Sequence, residues 1–183
     1  MADRVDGAER AMLDALAAKI RDVPDFPQPG ILFKDITTLL QDGAAFRQAL
    51  DALEGRCRPY QAAKVVGIES RGFIFGAPLA DRLGAGFVPS RKLGRLPAET
   101  VRVEYTLEYG SNTVELHRDA VAPGERVLVV DDLLATGGTA LATIKLVEML
   151  GGVVAAVACL VELTFLGGRE RLGGYAVEAL IAY

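Results

Sequence analysis

The segment Val127-Leu128-Val129-Val130-Asp131-Asp132-Leu133-Leu134-Ala135-Thr136-Gly137-Gly138-Thr139 constrains this chain more than any other. Its four consecutive aliphatic residues suit a central parallel strand buried on both faces. Two acids follow, then a loop rich in glycine and hydroxyl groups, then a helix. In that helix Ala140, Thr143, Ile144, Val147 and Leu150 share the spacing of one packed face, Lys145 and Glu148 lie opposite, and Gly151-Gly152 is the stop. Strand, glycine turn and helix make the unit from which parallel α/β sheets are assembled.

The unit recurs along the chain. Residues 64–68 read as a buried strand, 69–72 as its turn, 76–83 as a helix and 87–90 as a second short strand. A helix is expected at 43–57, further strands at 153–163 and 175–182, and an amphipathic helix at the N-terminus. The pattern predicts a doubly wound, mostly parallel α/β sheet flanked by helices, in a single domain spanning residues 1–183. Ligands bind such sheets at the carboxyl ends of the strands, so the site is expected in the turns after residues 68, 90 and 130. Two segments depart from the pattern. Pro24, Pro27 and Pro29 stiffen an extended stretch, a small N-terminal hood at about residues 24–36. Residues 100–109 and 113–117 alternate apolar with polar and are joined by Gly110-Ser111-Asn112, which predicts a half-exposed hairpin within a flexible lid at about residues 95–118.

Composition excludes several classes of function. The 183 residues carry 24 acidic and 20 basic side chains, a net charge of −4. That balance argues against broad binding to nucleic acid or to an anionic membrane, although a local basic pocket is compatible with it. No apolar run approaches the roughly 18 residues a membrane helix needs. Cys57 and Cys159 form no CxxC pair, which fits a reducing compartment, and the charged N-terminus lacks the apolar core of a signal peptide. Cytoplasmic localisation is the expectation. With His117 as the one histidine, no zinc-ligand cluster exists and no protein-built metal site is expected.

The loop after residue 134 turns backbone N–H groups toward one point at a helix N-terminus, which suits a phosphate. Each hydrogen bond to a charged group contributes about 1.5–3 kcal/mol, against about 0.3–2 kcal/mol for the helix dipole. The amides of Ala135–Thr139 and the hydroxyls of Thr136 and Thr139 would therefore dominate, with Gly137 and Gly138 allowing close approach. Acids are poor neighbours for a phosphate unless a sugar stands between them. Asp131 and Asp132 can accept from a vicinal diol, so the combination reads as ribose 5-phosphate. An acidic strand end of a P-loop protein is the competing reading, but no lysine follows a glycine here, so no GK[ST] exists.

This block resembles the phosphoribosyl diphosphate (PRPP) signature of the type I phosphoribosyltransferases. The FPxPG segment with Phe33-Lys34-Asp35-Ile36, the Glu69-Ser70-Arg71-Gly72-Phe73 turn, Arg91-Lys92, Leu107-Glu108-Tyr109-Gly110 and Val161-Glu162-Leu163 are similar to the branch of that family that acts on adenine. Together the blocks span about residues 26–170. The resemblance implies the type I phosphoribosyltransferase fold and the reaction of adenine with PRPP to give AMP and pyrophosphate. It also implies Mg²⁺ held mainly by the diphosphate and ribose oxygens, and a homodimer.

Within that expectation, Arg71, Arg91, Lys92 and Arg95 are the cations that neutralise the leaving diphosphate, and Glu69-Ser70 contributes backbone groups. Glu108 resembles the family's proposed acid/base residue, and Tyr109 beside it would help close the lid. Adenine needs an acceptor facing N6 and a donor facing N1. Backbone groups of Leu32 and Lys34 can supply them, with Phe33 as a stacking face. Asp35 is expected to fix the loop. Rival readings are a transferase for 6-oxopurines, a PRPP-sensing regulator, and a nucleotide-binding module without turnover.

Overall fold

In the computed structural model, which describes residues 7–106 and 111–183, the chain divides into two units, residues 1–51 and 52–183. The first contains helix α1 (Gly7–Ala17), strands β1 (Arg21–Pro24) and β2 (Leu32–Asp35), helix α2 (Thr37–Gln41) and the start of helix α3 (Gly43–Cys57). The proline-rich stretch is not simply extended, since β1 and β2 pair antiparallel from Arg21↔Asp35 to Pro24↔Leu32. Pro24 sits at a strand end, where its missing N–H costs least, and the Asp25 carboxylate accepts from Gly30 N at 2.7 Å, which folds the chain back. Asp35 fixes this unit as expected. It accepts from Arg21 Nη2 at 2.5 Å and from Thr37 N at 2.9 Å, and these bonds lower its carboxyl to about pKa 2. Asp42 caps α3 by accepting from Ala44 N at 3.0 Å and Ala45 N at 3.1 Å.

The second unit holds a seven-stranded sheet. Its elements are β3 (Lys64–Ile68), α4 (Gly72–Leu83), β4 (Gly86–Lys92), β5 (Thr100–Thr106), β6 (Ser111–His117), β7 (Arg126–Leu134), α5 (Gly138–Met149), β8 (Val153–Glu162), α6 (Gly168–Arg171) and β9 (Val177–Ala182). The strand order is β5-β6-β4-β3-β7-β8-β9. Strands β4, β3, β7, β8 and β9 run parallel, and β6 and β5 extend the sheet antiparallel beyond β4. Residues 127–130 are each 0% exposed, as a strand covered on both faces requires.

Helix α5 buries Ala140, Thr143, Ile144 and Val147 as their spacing predicts. It also buries Ala142 and Leu146, so its packed face is wider than the pattern suggests. Helix α4 begins at Gly72, four residues before the expected start. Its Gly76 lies over Gly67 of β3, where a Cβ on Gly76 would stand 3.2 Å from Gly67 Cα, and the Phe73 and Phe87 rings meet edge to face at 5.7 Å. The close approach seats the start of α4 directly above the strand ends that carry the chemistry.

The hairpin differs from expectation in two respects. Ser111 pairs with Thr106 and Asn112 with Tyr105, so both are strand residues and not part of the turn. The alternation also breaks at Glu115, which is 3% exposed between buried Val114 and Leu116.

Candidate active site

The chain passes from β3 to β4 on one side and from β7 to β8 on the other, so the sheet reverses its winding between β3 and β7. Pairing of β3 with β7 ends at Gly67↔Val130, whereas β7 stays paired with β8 through Leu134↔Glu162. Beyond Val130 the strand is therefore open on the β3 side. This is why Asp131 and Asp132 are strand residues and not the first residues of a turn. It is also why their carboxylates reach a cavity of about 560 Å³ at the switch point.

That cavity is lined by Glu69, Ser70 and Arg71 from the turn after β3, by Lys92 and Arg95 following β4, and by Asp131, Asp132, Ala135 and Thr139. Nine of the expected site residues thus share one space. Asp132 Oδ2 stands 2.7 Å from Arg71 Nε, an ion pair by distance. That oxygen is buried and accepts no aligned hydrogen bond, so the contact is Coulombic. Burial pushes the Asp131 carboxyl well above the usual range, and the neighbouring Asp132 carboxylate pushes it further. Burial also raises Asp132, and Arg71 offsets part of that rise. The pair therefore resists carrying two negative charges, and partners with O–H donors or positive charge are favoured there.

Beside the acids, Ala135, Thr136, Gly137, Gly138 and Thr139 line an adjoining recess of about 80 Å³. Gly137, at φ +77°, takes a left-handed conformation immediately before α5, and the first N–H groups of that helix have no acceptor within it. The loop is braced from behind. A Cβ on Gly168 of α6 would fall 2.2 Å from Ala135 O, and one on Gly137 would fall 2.8 Å from Gly168 O. Here main chain touches main chain, and glycine is the residue that fits.

The opposite end of the cavity is built from side chains. Arg91 donates from Nη2 to Glu69 Oε1 at 3.0 Å and from Nη1 to Arg95 O at 2.9 Å. Lys92 N donates to Glu69 Oε2 at 2.9 Å. The Arg91 hydrogen bond is the main reason the Glu69 carboxyl is held below its ordinary range. Arg91 thus turns its guanidinium toward Glu69 and the backbone, and it is not among the cavity-lining residues. The Glu69–Ser70 peptide is cis.

Several residues at this site were not anticipated from sequence, Asn112 of the cavity wall among them, and two have defined hydrogen bonds. Tyr105 of β5 lines the cavity and receives a hydrogen bond from Thr139 Oγ1 at 3.1 Å. Glu115 of β6 accepts from Arg95 N and Leu96 N at 3.1 Å each, and from Thr100 Oγ1 at 3.3 Å. It therefore anchors the backbone that carries Arg95. A tyrosine or a glutamate in an alternating strand looks like surface, and nothing in the local pattern separates these two from their neighbours.

Leu32, Phe33 and Lys34 belong to the first unit, in β2. Leu32 is exposed, Phe33 meets Phe26 edge to face at 5.1 Å, and Lys34 Nζ pairs with Asp22 Oδ1 at 2.6 Å. Glu108 and Tyr109 lie outside the described residues. An open groove of about 610 Å³ within the first unit is lined by Lys19, Arg21, Thr38 and Asp42. Its charges are already paired, Lys19 with Asp42 at 2.6 Å and Arg21 with Asp35 at 2.5 Å.

Comparison with known proteins agrees with this geometry. The model of the phosphoribosyl transferase domain family matches residues 37–172. An adenine phosphoribosyltransferase of Roseiflexus sp. strain RS-1 is 60% identical over 172 residues, covering 94% of this chain and 100% of the relative. The crystal structure of the Thermoanaerobacter pseudethanolicus adenine phosphoribosyltransferase superposes with a TM-score of 0.91 at 53% identity, covering 93% of this chain and 99% of that one. The Saccharomyces cerevisiae enzyme, crystallised with D-2,5-dideoxy-2,5-imino-altritol 1,6-bisphosphate and adenine, gives 0.89 at 38% identity, with 93% and 99% covered. A match across nearly the full length of both partners means that this chain belongs to the phosphoribosyl transferase domain family, among the adenine phosphoribosyltransferases.

Proposed function

We propose that this chain transfers the 5-phosphoribosyl group of PRPP to adenine, giving AMP and pyrophosphate, a purine-salvage reaction. The observation that carries the reading is a cavity lined by twin carboxylates and by the cations Arg71, Lys92 and Arg95, beside a recess lined by the glycine-rich loop. Those are the three groups that a phosphorylated sugar diphosphate would require. In this reading Asp131 and Asp132 accept from the ribose hydroxyls, and Ala135, Thr136, Gly137, Gly138 and Thr139 hold the 5-phosphate.

Arg71, Lys92 and Arg95 face the diphosphate, with backbone groups of Glu69 and Ser70 beside them. Arg91 braces this end through Glu69 and adds positive potential to it. When the C1–O bond breaks, these cations take up the charge that develops on pyrophosphate. The purine nitrogen then bonds to C1 and its proton passes to a base, the role assigned to Glu108, while Tyr109 helps exclude water. Leu32 and Lys34 read adenine through backbone groups and Phe33 supplies the stacking face.

Mg²⁺ suits the donor set. The cavity is lined by the carboxylates of Asp131 and Asp132 and by Glu69, which Arg91 already holds, and among the described residues no group of three or more His, Cys, Asp or Glu side chains is placed to hold a metal ion. The ion would then be held mainly by substrate oxygens, with Asp131 and Asp132 the nearest acids, and it would neutralise part of the diphosphate charge. A homodimer follows from the family resemblance. Two buried free cysteines support a reducing compartment such as the cytoplasm.

The test offers adenine, hypoxanthine, guanine and xanthine separately with PRPP and Mg²⁺. AMP formation from adenine, with little turnover of the 6-oxopurines, is the expected result. Absence of product from adenine would overturn the reading.

A further inference from the structure

Thr139 is held at two points. Its carbonyl accepts from Thr143 Oγ1 at 3.0 Å, and that hydroxyl in turn lies 3.3 Å from the fully buried Ser90 Oγ. The main chain of Thr139 is thus tied to the end of β4. Its side chain is tied to the edge strand β5, through the 3.1 Å bond to Tyr105 OH. We propose that Tyr105 is a positioning residue for the 5-phosphate of PRPP, holding the Thr139 hydroxyl at the rim of the phosphate cup. The proposal rests on the phosphoribosyl-transfer reading given above.

The ring and the hydroxyl of Tyr105 have separate tasks. The ring packs against the main hydrophobic core and stands over Gly138, where its Cδ2 is 3.6 Å from the position a Cβ would occupy. Phenylalanine would serve that packing equally well. The hydroxyl is the additional element, and it meets a residue that lines both the cavity and the phosphate recess.

The proton inventory explains what the pair achieves. Two hydroxyls carry two protons, and one is spent between them. Thr139 donates to Tyr105, which leaves the Tyr105 O–H to donate into the cavity that both residues line. If a phosphate oxygen draws the Thr139 proton, Tyr105 can rotate its own proton onto Thr139 Oγ1, and the bond survives with its direction reversed. In either arrangement one proton is left for a partner in the cavity and neither oxygen loses the other. A lone threonine would have to stop rotating about χ1 each time phosphate binds.

The experiment measures steady-state kinetics with PRPP and adenine varied in turn, and calorimetric binding of ribose 5-phosphate, for wild type, Tyr105→Phe, Thr139→Val and the double variant. Loss of one such hydrogen bond corresponds to about a five- to tenfold effect. Tyr105→Phe is expected to raise KM for PRPP and Kd for ribose 5-phosphate by that factor, with a smaller fall in kcat and no change in KM for adenine. In the Thr139→Val background the tyrosine change should add nothing. Unchanged PRPP and ribose 5-phosphate constants in Tyr105→Phe would overturn the proposal, as would equal losses for adenine or full additivity in the double variant. A wild-type protein that makes no AMP would sink the transfer reading alone, because ribose 5-phosphate binding still tests Tyr105 independently.

Discussion

The loop at residues 135–139 and the turn at residues 69–71 flank the same carboxylate pair, but they handle negative charge by different means. The loop offers main-chain groups fixed by glycine geometry and by contact with the backbone of Gly168. The turn offers Arg71, which already faces Asp132, and it stands beside Arg91, which already holds Glu69. On the proposed reading, a phosphate arriving at the loop would meet donors with no opposite charge to give up. A diphosphate arriving at the other end would compete with existing ion pairs, and these are partly open to solvent. Binding at the first end should thus be steep in geometry and indifferent to salt, and binding at the second graded and sensitive to ionic strength.

The most severe test removes the acids between the two ends. Asp131→Asn/Asp132→Asn should lower kcat/KM by about 10²–10⁴, since two hydrogen bonds to charged acceptors are worth about 3–6 kcal/mol together, while circular dichroism shows a folded protein. Wild-type turnover in that variant would erase the ribose assignment from both ends at once. Next is Gly137→Ala, which places a Cβ 2.8 Å from Gly168 O at a positive φ. It should cost about 1–3 kcal/mol of stability and weaken ribose 5-phosphate more than pyrophosphate, as calorimetry with each ligand can show. Arg71→Gln should do the reverse, raising KM for pyrophosphate in the reverse reaction about tenfold, with a difference from wild type that shrinks as salt is added.

The smallest effect concerns stability. A carboxyl raised above its unfolded value makes the folded state bind more protons, so its penalty is absent at low pH and grows as pH rises through the folded pKa. Asp131→Asn should therefore melt a few degrees above wild type at pH 7, and the gap should close toward pH 4. A variant that melts lower at pH 7 would contradict the burial penalty on Asp131.

The two ends also differed in how far sequence revealed them. The strand, loop and helix at residues 127–149 were legible because their requirements are local: an aliphatic strand, glycines and a helix start follow one another without a break. The boundary of β7 was misjudged, since the acids look like a turn and only the continued pairing with β8 keeps them in the strand. At the diphosphate end the basic residues were visible, but their partners were not. Whether Arg91 meets a ligand or Glu69 depends on a register across β3 and β4 that no local pattern encodes. Tyr105 and Glu115 stayed hidden for the same reason, because their roles arise from neighbours distant in the chain. The β1–β2 hairpin was missed because prolines suggest stiffness but not the reversal that Asp25 imposes.

The meeting of Ala135 and Gly168 sets a dimension as well as a shape. Side chains that touch can rotate to admit a larger guest; peptide groups that touch have no such give. On the proposed reading the loop is a gauge for one tetrahedral anion, and its calibration is held by a four-residue helix some thirty positions further along the chain. Even a methyl group added at 168 would displace the carbonyl of Ala135 and so shift the loop from behind.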